Sequence, residues 1–475
     1  MDSQNFIDII CKGQTDEKVK GFVDFLSENL WKQYDNYLMD KSLILENEIK
    51  FEAVYLPNAK EGEAYDNTIS FKRNNIEIKS VSGLPFETIG LTCVKEGNSV
   101  RIFGKPNLDS LRVNGFLTQT QFNIEIEYIG KDFPMPDSKP SLKRDVQFII
   151  NQDPRKLWKD IPVDWENMSE PKYRNEDTQI DYVKVETINA KAQKDIVGAS
   201  KRGRSHAQEG KPRDDHFQLY HDDTTNWYVM VVADGAGSAP YSREGSRLAC
   251  DVVINHCKQE LSNCESFEDN INLWHLDQKS EDAGKLISAD IYRIVGNAAY
   301  KAHKAINEEA AHMQKKPKEY ATTLLVSICK KFEFGWFIAS FWVGDGAICL
   351  YDREKHTATL LGTPDEGEYA GQTRFLTMPE IFSDKDFYKR LSCRIVPDFT
   401  ALFLMTDGVS DPKFETDSNL LNPNKWDELW NDITSNPDSP VHLEDDNDCS
   451  KFELLNWLDF WAPGHHDDRT IAIMY

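Results

Sequence analysis

The sequence predicts an α+β protein in two parts, a small β-sandwich followed by a larger domain in which strands and helices are mixed. Residues 48–130 contain short runs of alternating apolar and polar residues separated by Gly, Pro and Asn, as in small sandwiches. Two later segments have helical apolar spacing, EGSRLACDVVINHCKQEL and SADIYRIVGNAAYKAHKAINEEAAHM. Around them lie five apolar runs of strand length: YVMVVADG, TTLLVSIC, GWFIASFWVGDG, TALFLMTDG and TIAIMY.

Changes of pattern along the chain set the predicted domain boundaries. Residues 1–45 carry an apolar stripe at helical spacing and predict a helical lead. The sandwich follows over 46–132, where an SGLP turn and a G-x-P turn are similar to those of bacterial immunoglobulin-like modules. Residues 133–185 are rich in Pro, Asp and Lys and predict a linker. The mixed domain occupies 186–475.

Charge and composition exclude several classes of function. With 55 Lys+Arg against 79 Asp+Glu, the net charge of −24 disfavours passive binding to nucleic acid or anionic lipid. The longest apolar runs are far shorter than the ~20 residues that cross a bilayer. The acidic start does not resemble a secretory signal, and the nine cysteines contain no C-x-x-C pair. We therefore expect a cytoplasmic protein that binds neither nucleic acid nor membrane.

Aspartates recur at the ends of the apolar strands of the mixed domain. Asp234 ends VVAD, Asp345 follows WVG, Asp407 follows LMT, and Asp467 with Asp468 precedes the last strand. A carboxylate buried there without a partner would cost several kcal/mol, so converging carboxylates need a cation such as Mg²⁺ or Mn²⁺ between them. One Asp-Gly pair alone is also a common turn. The recurrence within one domain is what favours a metal site.

Taken in order, these segments resemble a known family. GASKRGRSHAQEGKPRDDHF, VVADGAGSAPYSREGS, ATTLL, VGDGAICLYD, GEYAGQTRFLT, FLMTDGVSD and HDDRTIAIM are similar to the metal-dependent serine/threonine protein phosphatases of the 2C class, in a bacterial branch. The resemblance extends from about residue 195 to 475. It implies a four-layer α/β/β/α sandwich built on two antiparallel sheets.

The resemblance also implies a set of metal ligands. Asp234 would bridge two ions of Mn²⁺ or Mg²⁺, and a third, weaker ion would lie at Asp345 and Asp411. Within the acidic pair at 214 and 215, one residue would bind the second ion and the other would orient its waters. The full implied set is Asp214, Asp215, Asp234, the carbonyl of Gly235, Asp345, Asp407, Asp411 and Asp467.

Two departures from the family affect the catalytic residues. The position of the usual phosphate-binding Arg falls on Gly210, which leaves three basic residues nearby: Arg204, Lys211 and Arg213. The His that follows the bridging Asp-Gly in some eukaryotic members is Ala236 here. His206 is the nearest alternative as a general acid, and a structural hydrogen-bonding role for it stays open.

These features predict hydrolysis of phosphoserine and phosphothreonine on proteins by a metal-activated water. The expected partners are a phosphorylated protein, a cognate kinase and an unknown ligand of the N-terminal sandwich. The alternative is a catalytically weak phosphoprotein-binding scaffold or pseudophosphatase. A nucleotide-binding P-loop at GASKRGRS is a poorer interpretation, because Arg204 replaces the usual Lys and no buried strand precedes the segment.

Overall fold

The computed structural model describes residues 9, 11–113, 116–168, 177–186, 193–362, 364, 365, 373–383 and 387–475. They belong to two compact units, Met1–Leu157 and Trp158–Tyr475, each with its own hydrophobic clusters. Within the described part of the chain, no helix combines the length and the apolar character that a membrane span requires.

The N-terminal unit begins with one long helix, α1 (Asp16–Phe51). Its buried residues Leu38, Ser42, Leu45 and Ile49 recur at helical spacing and so lie on one face. The helix continues past residue 45, where the sequence pattern predicted its end, because Leu45 and Ile49 extend this buried face.

The strands of the N-terminal unit form two sheets and a short pair. Their bounds are β1 Ala59–Lys60, β2 Tyr65–Ser70, β3 Ile76–Ser82, β4 Leu91–Glu96, β5 Ser99–Gly104, β6 Arg112–Val113, β7 Phe116–Leu117, β8 Gln121–Gly130 and β9 Leu142–Asn151. The sheet orders are β1-β9-β8-β3 and β2-β5-β4, and β6 pairs with β7. Ile102 of one sheet and Phe148 of the other join Ile49 of α1 in a single hydrophobic cluster. The likeness to an immunoglobulin-like module stays a prediction.

Residues 133–185 are not a linker throughout, which corrects the sequence-based expectation. Strand β9 pairs with β8 and β1, and a further strand, β10 (Thr178–Val183), pairs with the next strand of the C-terminal unit. In β9 the buried residues Leu142, Val146, Phe148 and Ile150 alternate with exposed ones. Three consecutive charged residues, Lys143, Arg144 and Asp145, interrupt this alternation, which is the normal signal of a half-buried strand.

Two antiparallel sheets form the centre of the C-terminal unit. The further strands are β11 Ile196–Lys201, β12 His216–His221, β13 Tyr228–Ala233, β14 Leu324–Phe332, β15 Gly335–Val343, β16 Ala347–Asp352, β17 Thr357–Leu360, β18 Leu391–Val396, β19 Ala401–Met405 and β20 Arg469–Met474. One sheet has the order β10-β11-β20-β19-β16-β17, and the other has the order β12-β13-β14-β15-β18. Apolar side chains from both sheets, among them Ala472 and Met230, share one hydrophobic cluster.

Helices cover these sheets through two further clusters. Their bounds are α2 Arg204–Glu209, α3 Ser242–Leu261, α4 Glu265–Leu276, α5 Glu281–Ile291, α6 Asn297–His312, α7 Glu380–Ser383, α8 Asp407–Phe414, α9 Pro423–Ser435 and α10 Ser450–Trp457. Residues of α3 to α6 cluster with the five-stranded sheet, and residues of α8 to α10 cluster with the six-stranded sheet. The predicted mixed α+β class is therefore confirmed.

Candidate metal centre

Asp234 directly follows β13, and its backbone is held by the two threonines of the ATTLL segment. The amide of Asp234 donates to Thr323 Oγ1 at 2.9 Å, and its carbonyl accepts from the Thr322 hydroxyl and the Thr323 amide, both at 2.8 Å. The next residue must be Gly, because a Cβ on Gly235 would lie 2.6 Å from the carbonyl oxygen of Asp214. These contacts bring the end of β13 against the loop that carries the acidic pair.

Three aspartates from separate strand ends converge at this point. One carboxylate oxygen each from Asp234, Asp345 and Asp407 lies within 4.8 Å of the others. Asp407 begins α8, and Asp411 follows one turn later on the same helix. The motif GEYAGQTRFLT begins at 367, and its residues 367–372 lie outside the described part of the chain. Its Thr373 donates a hydrogen bond to Asp345.

Asp215 and Asp407 each have one carboxylate oxygen without a protein donor. Asp215 is 1% exposed, and its Oδ2 accepts from Thr470 at 2.6 Å and from Thr406 at 3.0 Å. Its Oδ1 is buried with no hydrogen-bond partner, and so is Oδ1 of Asp407. Buried anionic oxygens of this kind are the ligands that hard divalent cations prefer. The donor set therefore fits the metal ions implied by the sequence.

Removal from water and mutual repulsion disfavour the charged state of these carboxylates. Burial, followed by repulsion from neighbouring carboxylates, raises the pKa of Asp215 and of Asp234 well above the usual value. The same causes raise the pKa of Asp214 and of Asp407 to about 7. Burial also raises the pKa of three further aspartates, Asp345, Asp411 and Asp467. A bound cation would remove this repulsion.

A match to a family model covers more than half of the chain. The family described as Protein phosphatase 2C matches residues 202–456. The chain belongs to the protein phosphatase 2C family. The family-level prediction from the sequence motifs is thereby confirmed, and the metal-dependent protein phosphatases of this family use divalent ions such as Mg²⁺ and Mn²⁺.

Several solved structures are similar to this 2C-type chain at low identity. RsbX in complex with magnesium is 16% identical, with 62% of this chain and 98% of that chain covered and a TM-score of 0.33. Stp1, a serine/threonine phosphatase from Staphylococcus aureus, is 14% identical, with 62% and 98% covered and a TM-score of 0.34. PppA from Pseudomonas aeruginosa is 11% identical, with 60% and 97% covered and a TM-score of 0.33. No curated protein matches the sequence significantly.

Asp468, which the implied ligand set leaves out, is a buried residue of this 2C-type site. It is 2% exposed, and its carboxylate accepts from the amides of Gly203 and Asp214, both at 2.6 Å, and contacts His206 Nδ1 at 3.1 Å. Burial opposes its charge, but the hydrogen bonds from His206 and the two amides outweigh burial and lower the pKa of Asp468. The two adjacent aspartates of HDDR were the available signal, but the resemblance implies a ligand role for Asp467 alone.

His206 lies between this buried carboxylate and the acidic pair. Burial lowers the pKa of the imidazole, but the hydrogen bond to Asp468 and the charges of Asp468 and Asp214 raise it to about 9. Nε2 lies 3.8 Å from Asp214 Oδ2, and it lies 3.8 Å from the point that a Cβ on Gly237 would occupy. The His206 imidazole therefore lies beside the loop that follows Asp234, and the neighbouring carboxylates favour its charged form.

The two predicted arginines have other contacts. Arg213 is 2% exposed, and its guanidinium donates to Ser200 Oγ and to the carbonyl of Asp215, both at 2.6 Å. This burial does not fit the predicted contact with phosphate, and Arg213 instead supports the acidic pair. Arg204 donates to the Asp459 carboxylate at 3.1 Å and lies over the Trp461 ring. An exchange of partners would be needed for Arg204 to hold a phosphate.

A cavity of about 370 Å³ opens onto the aspartates. Its lining combines carboxylates with aromatic rings and small residues: Trp158, Ser205, Asp407, Gly408, Asp411, Gly464, His465, His466 and Asp467. Gly408 is required here, because a Cβ at this position would lie 1.8 Å from the carbonyl oxygen of Asp468. The cavity thus gives access to Asp407, Asp411 and Asp467.

Proposed function

We propose that the chain is an active metal-dependent phosphatase that hydrolyses phosphoserine and phosphothreonine on protein substrates. The observation that carries this proposal is the convergence of Asp234, Asp345 and Asp407, together with the two buried carboxylate oxygens that no protein donor satisfies. A purely structural cluster would be expected to satisfy such oxygens with hydrogen bonds from the protein.

We assign the metal ligands as follows. Asp234 would hold both ions. The carbonyl of Gly235 and one member of the acidic pair would hold one of them, with the other member orienting its waters, and Asp407 and Asp467 would hold the other ion. A third and weaker site would lie at Asp345 and Asp411. When bound, Mn²⁺ or Mg²⁺ neutralises the carboxylates and the phosphoryl group and lowers the pKa of water so that it becomes a nucleophile near neutral pH.

The proton donor in this proposal is His206. Its Nδ1–H is directed to Asp468, so that Nε2–H is held on the side of Asp214 and of the loop after Asp234. A proton delivered from Nε2 would leave with the alkoxide of serine or threonine. Arg204 stays the candidate for the phosphate contact, because its neighbour Ser205 lines the cavity and its ion pair with Asp459 is partly exposed.

We also propose the domain organisation. The two sheets and their covering helices form the four-layer α/β/β/α arrangement of the catalytic domain, which the three hydrophobic clusters of this unit support. We place its start at Trp158 instead of residue 186, since β10 belongs to its six-stranded sheet. The N-terminal module would bind a separate partner, and a cognate kinase would supply the phosphoprotein in the cytoplasm.

The test is phosphate release from a phosphothreonine peptide by the full chain, with added Mn²⁺ or Mg²⁺ and with EDTA. We expect turnover with either metal and none in EDTA, and the Asp234→Asn variant should be inactive. Asp446→Asn is the matched control, because Asp446 lies in another group of three acidic residues. Turnover that persists in EDTA would contradict the metal mechanism. Peptide binding without turnover would favour the scaffold alternative.

A further inference from the structure

The cavity at the metal centre has an aromatic part as well as an acidic part. The Trp158 ring is partly exposed in the lining, and its centroid lies 4.3 Å from that of His466 at an interplanar angle of 47°. The acidic residues of the cavity belong to the metal site, but hydrolysis of a phosphate ester does not require Trp158 or the His466 ring. These two rings are tilted against each other and form an aromatic surface beside Asp407, Asp411 and Asp467 in the cavity lining.

Trp158 is carried by a short segment that is fastened to the domain. We call residues 158–162 the strap. The amide of Lys159 donates to Gln208 Oε1 at 2.5 Å, and the amide of Ile161 donates to the Ala207 carbonyl at 2.9 Å. Asp160 forms an ion pair with Arg202, whose side chain is 4% exposed. The strap is thus tied to α2 and to the end of β11, and it holds Trp158 at the cavity.

The packing at Gly210 fits the strap closely. Gly210 has φ of +67°, a conformation that favours Gly, and a Cβ there would lie 3.1 Å from Ile161 Cγ2. Gly210 is also the position at which the phosphate-binding Arg was expected and not found. A side chain at this position would therefore press against Ile161 of the strap.

Building on the proposed phosphatase function, we infer that Trp158 determines substrate specificity by contacting an apolar side chain next to the phosphorylated residue. A partly exposed Trp in a cleft gains stability when it is covered by a ligand, and such rings dominate the energy of many interfaces. Ile161 of the same strap is also 41% exposed. The substrate class is accordingly a phosphoprotein with an apolar residue flanking the phosphoserine or phosphothreonine.

The experiment measures kcat and KM of the full chain on three substrates. Two are phosphothreonine peptides that differ only in one flanking residue, Leu or Ser, and the third is p-nitrophenyl phosphate. Trp158→Ala should raise KM for the Leu peptide by about tenfold, the effect of losing one aromatic contact in an interface, and should abolish the preference for Leu over Ser. Trp158→Ala should change KM for p-nitrophenyl phosphate much less. Trp158→Phe should retain most of the preference.

The control variant is Trp461→Ala, which removes a second ring that contacts His466, at 5.3 Å, but does not line the cavity. It should retain the preference for the Leu peptide. Equal losses on all three substrates for Trp158→Ala would overturn the inference, since a structural role would affect every substrate. Unchanged KM for both peptides would overturn it as well. The wild-type rate on p-nitrophenyl phosphate tests the proposed function separately, because that substrate has no flanking residue.

Discussion

Two groups of acidic residues in the C-terminal unit differ in how their oxygens are satisfied. Asp195, in the group with Asp445 and Asp446, is 2% exposed and accepts from the amide of Val185 at 2.7 Å, the amide of Asp446 at 2.9 Å and the hydroxyl of Tyr182. Asp215 at the metal centre is equally buried, but one of its oxygens has no donor. A buried carboxylate that is fully hydrogen-bonded stabilises the fold, whereas one left incomplete is prepared for a ligand.

The comparison predicts its largest effect on phosphatase activity. Asp407→Asn removes a charge from the incomplete group, and we expect kcat to fall on the order of a hundredfold or more, because the metal affinity and the charge balance are both lost. The measurement is kcat for hydrolysis of a phosphothreonine peptide at saturating Mn²⁺. The matched Asp445→Asn variant should keep wild-type kcat. A similar loss in both variants would show that the two groups do not differ.

The next effect concerns stability. Asp195→Ala leaves buried donors without an acceptor, and we expect it to lower the free energy of unfolding by about 2 kcal/mol whether or not metal is present. The effect of Asp215→Asn on thermal unfolding should, in contrast, depend on whether metal is present. In EDTA it should not destabilise the chain, because it removes repulsion among the carboxylates, but it should abolish the increase in Tm on addition of Mg²⁺. Destabilisation of the metal-free chain by Asp215→Asn would contradict the comparison.

The metal-free chain should also lose stability as the pH rises. The pKa of Asp214 and of Asp407 is raised to about 7, so their protonated forms favour the folded state below the unfolded value, and this contribution is lost between about pH 4 and pH 7. The pKa of His206 is raised to about 9, so the stability that its protonated form contributes is lost as the pH rises from about 6.5 to about 9. Addition of Mg²⁺ should therefore raise Tm more at about pH 8 than at about pH 5.5. Equal increases in Tm at the two pH values would argue against metal binding at these carboxylates.

The smallest expected effect concerns Asp345. If the third ion assists departure of the leaving group, Asp345→Ala should lower kcat/KM more on a phosphothreonine peptide than on p-nitrophenyl phosphate, whose phenolate leaves without help. Equal losses on both substrates would remove the leaving-group role. If neither substrate is affected, Asp345 instead serves the turn after β15, where it accepts a hydrogen bond from Thr373.

Much of the fold and of the site could be predicted because the relevant signals are local. Buried strands appear as apolar runs, and an aspartate within two residues of the end of such a run was sufficient to select Asp234, Asp345 and Asp407. The strand β9 was missed because three consecutive charged residues interrupt its alternating pattern, and the predicted linker was therefore too long. The expected phosphate contact of Arg213 does not fit its burial for a different reason. Sequence position shows that an arginine is near an acidic pair, but it does not show which way the side chain points.

The sequence by itself determined the α+β class, the family and the residue types of the candidate metal centre, since each depends on short motifs in a given order. The tertiary structure alone revealed the role of Asp468, which binds the amide of Asp214 across 254 positions of the chain, and the presence of Trp158 at the cavity. Such contacts depend on how the loops are folded together. Whether a buried carboxylate supports the fold or binds a ligand is decided by the donors around it, and these come from distant parts of the chain.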